Sequence, residues 1–284
     1  MFRRAFFAVL LFGYTASAGV GQKSATDNPF PEKFKRLRPS IVEVQVGERR
    51  SGTGFFVSAD GYVLTALHVV GKFEVQDNRF VVTFLENIQV VLNDGRKLPA
   101  QGVPNPAEDS ALHDIALLKV DIKNSSFLRL GSYKDVVVGE DAYFMGFPFD
   151  APDVVAYRGM ISAKFPFQTG ALKGKAIVTD TLHVEAPIAR GFSGAPLLRQ
   201  SDDTVVGVVT NRLGGISPAL NAVAEQIVKG RSIGTVQIAG VNPNESILET
   251  IRVLDLYLSA GAGWAASVAH IEGLLLEKKV VKSH

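Results

Sequence analysis

The sequence predicts an all-β fold, a barrel or sandwich, followed by a helical C-terminal segment. Short runs rich in Val, Ile and Phe succeed one another from Ser40 to Asn211, each bounded by turn residues. No helical pattern separates them, which argues for strands packed on strands. At Pro243 the character changes, and apolar residues begin to recur at helical spacing.

The first set of runs is SIVEVQV, GTGFFVS, YVLTALHVV, RFVVTFL, IQVVLNDGRKLPAQGV, IALLKV and DAYFMGF, and Asn93-Asp94-Gly95 within it is a strong hairpin signal. The second set is VVAYRGMISAK, KAIVTD, HVEAP, APLLR and TVVGVVTN. After Pro243, Ile247, Ile251, Leu254 and Leu258 define one helix, with Asn244 or Ser246 as its N-cap. A second helix is predicted from Trp264 to Lys279, with Val268, Ile271 and Leu275 on one face. His270 and Glu272 argue against a membrane span there.

The 284 residues are 46% hydrophobic, the composition of a packed globular chain. Arg3 and Arg4, an apolar run from Ala5 to Phe12, and Ala16-Ser17-Ala18 have the layout of a secretory signal peptide, with cleavage expected near Ala18. The apolar run is too short for an ordinary membrane span, so stable membrane insertion is not expected. Localisation is therefore read as exported, periplasmic or secreted. The formal charge of +2 includes the two leader arginines, so the mature chain is near neutral and nucleic acid is not an expected partner. With no cysteine, stability must come from core burial, and thiol catalysis and thiolate metal sites are excluded. The expected layout is signal peptide 1–18, linker 19–33, a folded domain 34–242 and a helical extension 243–284.

Three stretches carry chemistry: LTALHVVG, HDIALLKV and RGFSGAPLL. Ser193 lies between Gly191-Phe192 and Gly194, a setting that suits either a tight turn or a held nucleophile. A serine hydroxyl needs an adjacent base, and that base needs an acid to fix its tautomer. His68, Asp114 and Ser193 supply the set, with the backbone N–H groups of Gly191 and Ser193 as oxyanion donors. Asp109 is a competing carboxylate in a polar loop, whereas Asp114 directly precedes the buried run IALLKV. His113 and His183 are read as a loop and a strand residue without catalytic role. No histidine pair has metal-site spacing, so no metal and no cofactor is expected. An α/β-hydrolase elbow is disfavoured because Ala195 breaks its G-x-S-x-G pattern and His and Asp precede Ser.

These stretches resemble the histidine, aspartate and serine motifs of chymotrypsin-fold serine proteases, in the same order. The segments RPSIVEVQV, SGTGFFVSADGYVLTALHVV, DGRKLPAQGV, LRLGSYKDVVVGEDAYFMGFPF and VEAPIARGFSGAPLL are similar to the HtrA/Deg-like trypsin branch, over roughly residues 37 to 214. The resemblance implies two six-stranded antiparallel β-barrels with the site in the cleft between them. It also implies that Ser193 attacks the scissile carbonyl, His68 acts as general base and then acid, and Asp114 orients His68. By position, Pro187, Ile188, Thr210 and Asn211 would line the primary substrate pocket, where no acid stands to attract Lys or Arg.

Two departures qualify the resemblance. Phe192 stands where digestive proteases carry the Asp that pairs with a new amino terminus, so that activation route is not expected. About 40 residues follow Pro243, too few for a PDZ domain. The implied activity is a serine endopeptidase acting on unfolded or exposed polypeptide; the alternative is a non-catalytic or latent peptide-binding protein on the same scaffold. The C-terminal helices either pack on the barrels or serve a homo-oligomer or partner contact.

Overall fold

The computed structural model describes residues 30–76, 79–104, 109–123, 125–148, 151–172, 174–212, 218–230, 237, 240, 242–258 and 261–280. The leader, its cleavage site near Ala18 and the linker up to residue 29 lie outside the described residues.

The chain enters through helix α1 (Phe30–Leu37), four residues earlier than the sequence boundary at 34. Tertiary anchors account for the difference. Phe30 packs edge-on against Tyr143 at 5.3 Å, and Lys33 Nζ bonds to Asp203 Oδ1 at 2.8 Å and to the Gln200 carbonyl at 2.6 Å. Arg36 and the Tyr143 hydroxyl also meet the Asp203 carboxylate, so one acid of the second barrel receives three donors.

Strands β1 (Ile41–Val46), β2 (Arg49–Phe56) and β3 (Tyr62–Ala66) lead into the single-turn helix α2 (Leu67–Val70). The hairpin β4 (Gly71–Gln76) and β5 (Arg79–Phe84) forms a separate two-stranded sheet. Then come β6 (Ile88–Val91), β7 (Lys97–Gly102), the short helix α3 (Asp109–Leu112) and β8 (Ile115–Val120). The first barrel closes in the order β1-β2-β3-β8-β7-β6, all neighbours antiparallel.

The second barrel uses β9 (Asp141–Gly146), β10 (Val155–Leu172), β11 (Lys175–Glu185), β12 (Pro196–Arg199) and β13 (Val205–Arg212). Helices α4 (Pro218–Gly230) and α5 (Pro243–Leu258) follow, then β14 (Gly263–Ser267) and α6 (Glu272–Glu277). Its closed order is β10-β11-β14-β13-β12-β9.

Strand β14 corrects the helix expected from Trp264 to Lys279, and with it the reading of 243–284 as an appended extension. Gly263 to Ser267 pair on one side with β11 and on the other with β13, so this segment completes the barrel. The Ser267 hydroxyl then accepts from Ala269 N, and helical structure begins only there. The apolar stripe itself is used as a core face, since Val268, Ile271 and Leu275 are fully buried. Helix α5 buries Leu248 and Ile251 but leaves Ile247 and Leu254 exposed.

Many strands are buried on both faces, which explains why runs such as IALLKV lack polar alternation. Val42, Phe56, Val63 and Leu118 fill the first barrel, and Phe144, Leu182, Leu197 and Val206 the second. Their neighbours Ile41, Phe55, Leu64, Leu117, Tyr143, Leu198 and Val205 point the other way and join into one cluster that welds the barrels together.

Candidate active site

Helix α2 carries His68 at the end of β3. The loop before β8 meets it through Asp114, whose carbonyl accepts from Leu67 N at 3.0 Å and whose Oδ1 accepts from His68 N at 2.9 Å. The other carboxylate oxygen, Oδ2, lies 2.6 Å from His68 Nδ1. Asp114 thus caps the helix turn and holds the imidazole in the tautomer that leaves Nε2 as the outward base. Its φ of 60° is left-handed, a conformation that Asp tolerates better than most side chains. Burial pushes the His68 pKa down, but the hydrogen bond and charge of Asp114 outweigh it and leave the group above its ordinary 6.5.

Ser193 comes from the second barrel, on the loop before β12. It meets α2 across Gly52 of β2, where a Cβ would lie 2.7 Å from the Ser193 carbonyl oxygen and 2.8 Å from Val69 Cγ2. Only a glycine lets the serine loop and the histidine helix approach this closely. Gly194, at φ 88°, is similarly confined: its Cβ would fall 2.1 Å from the Thr53 carbonyl oxygen.

Within the loop the peptide groups are individually fixed. Phe192 N donates to the Ala189 carbonyl, Ala195 N to the Phe192 carbonyl, and Gly194 N to the Val209 carbonyl, at 3.3, 2.8 and 2.7 Å. Gly191 turns at φ 100°. Among the described residues the N–H groups of Gly191 and Ser193 have no backbone or side-chain acceptor, so two donors flank the serine. No hydrogen bond joins the Ser193 hydroxyl to His68 among the described residues.

Phe192 is fully buried, edge-on to Phe144 at 4.9 Å and to Tyr157 at 5.6 Å. An aromatic anchor thereby stands where the expected family Asp is absent, giving the loop a support that needs no charged amino terminus. Ala195 is also fully buried, its methyl inside the second barrel's core.

Of the residues read as pocket lining, Ile188 is buried and Pro187 exposed. Thr210 follows Val209, which pairs with the serine loop, and forms a bulge opposite β14. Ile188 and Asn211 converge on Gly263, where a Cβ would lie 2.3 Å from Ile188 Cδ1 and 2.8 Å from the Asn211 carbonyl oxygen. Sequence reading missed Gly263, because its partners Ile188 and Asn211 lie 50 and more residues away in the chain.

His113 and His183 are elsewhere engaged: Nδ1 of His113 lies 2.7 Å from Thr179 Oγ1, and Nδ1 of His183 lies 2.6 Å from Ser162 Oγ. Among the described residues no cluster of His, Asp and Glu could hold a metal ion, and no helix is long and apolar enough to cross a membrane.

A profile of the trypsin-like peptidase domain matches residues 52–208, more than half of the chain. The chain belongs to the trypsin-like peptidase family. Its curated relatives include a probable periplasmic serine endoprotease, DegP-like, of Chlamydia pneumoniae, 32% identical over 205 residues that make up 69% of this chain and 37% of the relative. A like-named protein of Halomonas elongata is 34% identical over 192 residues, 66% of this chain and 36% of its own length. The trypsin-like chain therefore spans little more than a third of these relatives. Among solved structures, the active form of the Rv3671c protease from M. tuberculosis superposes with TM-score 0.57 at 18% identity, covering 98% of this chain and 97% of that one. An HtrA-type protease, AlgW with tripeptide, gives 0.56 at 22%, covering 88% and 64%. These structural likenesses agree with the two closed barrels described above.

Proposed function

We propose that this chain is an exported serine endopeptidase that hydrolyses unfolded or exposed polypeptide through an acyl-enzyme. The observation that carries the reading is the 2.6 Å contact between His68 Nδ1 and Asp114 Oδ2, facing a serine loop with two unengaged N–H donors. In this mechanism Ser193 attacks the scissile carbonyl, and His68 takes its proton and later delivers it to the leaving amine. Asp114 stabilises the imidazolium, and the N–H groups of Gly191 and Ser193 bind the oxyanion. The cleft takes an extended strand by backbone hydrogen bonds. Pro187, Ile188, Thr210 and Asn211 present no acid to the primary side chain, which favours small or medium apolar residues there.

Export follows from the leader sequence, with cleavage near Ala18, and the printed names of the relatives support a periplasmic setting. A contact with a second copy or a partner through α4 and α5 is supported by Val223, Val228, Ile247, Val253 and Leu254, all exposed. The missing hydrogen bond between Ser193 and His68 favours a second reading, a latent or non-catalytic peptide binder.

The test is reaction of the purified mature protein with a fluorophosphonate, with the adduct located by mass spectrometry. Labelling confined to Ser193, and lost in both Ser193→Ala and His68→Ala, is the expected result. A folded protein that takes no label supports the peptide-binding reading instead. Peptides carrying Val or Lys before the scissile bond separate the specificities; equal cleavage of both overturns the apolar preference.

A further inference from the structure

We propose that Thr53 is a positioning residue for the oxyanion donors, an inference that rests on the peptidase reading above. Thr53 belongs to β2 of the first barrel and is fully buried, yet its polar atoms are directed at the second barrel's serine loop. Its hydroxyl donates to the Gly191 carbonyl at 2.7 Å and accepts from Phe147 N at 2.9 Å. Its backbone N–H donates to the Ser193 carbonyl at 2.9 Å, and its own carbonyl accepts from the Thr65 hydroxyl at 2.7 Å. Every hydrogen-bonding group of this residue is therefore spent at the barrel junction, three of the four on the second barrel.

The hydroxyl contact is the one that bears on chemistry. The Gly191 carbonyl belongs to the peptide joining Gly191 to Phe192, whose N–H end is already held by Ala189. With the hydroxyl on its oxygen, both ends of that plane are pinned, and rotation about it is blocked. This plane lies between the two proposed donors. The N–H of Gly191 precedes it across the φ and ψ of Gly191, with φ at 100°, and the N–H of Ser193 follows it across Phe192. Gly191 itself has no side chain to resist reorientation, so the restraint must come from outside the loop.

The surroundings are shaped for this contact. A Cβ at Gly146 would lie 2.7 Å from Thr53 Oγ1 and 2.9 Å from Phe192 Cδ1, so the hydroxyl and the aromatic anchor share the space above one glycine. The hydroxyl has both a donor and an acceptor role, which valine, its near-isostere, has not. Replacing it removes the hydroxyl donor from the buried Gly191 oxygen, and the loop can restore that hydrogen bond only by turning the Gly191 peptide.

The experiment compares full-length protein carrying Thr53→Val or Thr53→Ser with wild type. Its readouts are kcat and KM on a peptide substrate, inhibition by a peptide boronic acid, which mimics the tetrahedral state, and amide exchange over residues 188–196. Thr53→Val is expected to lower kcat by about 10- to 100-fold with KM little changed, and to weaken the boronate by a similar factor. It is also expected to speed exchange in the serine loop. Thr53→Ser, which keeps the hydroxyl, is expected to stay within about three-fold of wild type. Wild-type kcat in Thr53→Val, or equal losses in both variants with boronate affinity unchanged, overturns the proposal. Should wild-type protein neither cleave peptide nor take label at Ser193, the peptidase reading fails; loop exchange then decides for Thr53 by itself, and unchanged exchange in Thr53→Val overturns its role.

Discussion

Asp114 performs three tasks with one residue, because its left-handed backbone at φ 60° lets its carbonyl and carboxylate face the same helix turn. Asp114→Asn keeps a side chain that tolerates this conformation but replaces the charge with an amide. The expected loss in kcat is about 10⁴-fold, from the wrong imidazole tautomer. The pH profile gives an independent check. In the proposed mechanism only neutral His68 accepts the serine proton, and its pKa is raised, so the acid limb of kcat/KM in wild type is expected above pH 6.5. Without the carboxylate, burial acts unopposed and the limb moves to lower pH. An unchanged limb in Asp114→Asn would separate His68 from Asp114. Asp114 was legible in the sequence because it abuts an unbroken apolar run, a signal of a loop entering a buried strand. Thr53 was not, since SGTG reads as a glycine-rich strand start and nothing local announces that its hydroxyl serves another barrel.

At the scale of elements, the loop that carries Asp114 is braced by a pair of histidines. The rings of His113 and His270 stack at 3.6 Å, linking α3 to the turn after β14. On β11, Thr179 Oγ1 lies 2.7 Å from His113 Nδ1, and Asp180 N donates to His270 Nε2 at 2.9 Å. Burial and the charge that His270 would bear hold His113 down at about 4, whereas an unfolded histidine titrates near 6.5. Between those values the unfolded chain binds a proton that the folded chain refuses. Stability is therefore retained above about pH 6.5 and falls progressively as pH drops toward 4. His113→Gln, which keeps a polar partner for Thr179 without titrating, is expected to flatten this fall. Urea midpoints at pH 7.5 and 5 measure it, and equal pH slopes in both proteins would remove His113 from the account. Neither brace nor β14 was readable beforehand, for a common reason. A helical stripe at Val268, Ile271 and Leu275 is real, but whether Trp264 to Ser267 extend it or pair as a strand depends on β11 and β13, which local pattern does not contain.

For the whole molecule, period-two reading found the strands but not their count per barrel, because strands apolar on both faces give no alternation to mark inside from outside. The two-barrel arrangement was legible only through the resemblance of whole motifs. Between β13 and β14 the helix α5 was foreseen but the return of the chain to the barrel was not, and the true place of this connection has consequences. Arg212 pairs directly with Gly263, so the chain leaves the barrel at one residue and returns beside it, with α4 and α5 interposed. Barrel closure requires only a tight turn at that point. The helices are an excursion from the strand end that bears Thr210 and Asn211, and their exposed valines and leucines are not demanded by the barrel. Replacing residues 213–262 with a two-residue Asn-Gly turn is expected to leave a folded peptidase domain that still reacts with fluorophosphonate at Ser193. If α4 and α5 mediate association, the shortened protein runs as a monomer in light scattering where full-length protein does not. Unfolding of the shortened chain would instead mean that Leu248 and Ile251, which α5 buries, support the barrel itself. Exchange protection in β13 and β14 distinguishes the two, since a barrel that closes without the excursion keeps those amides protected.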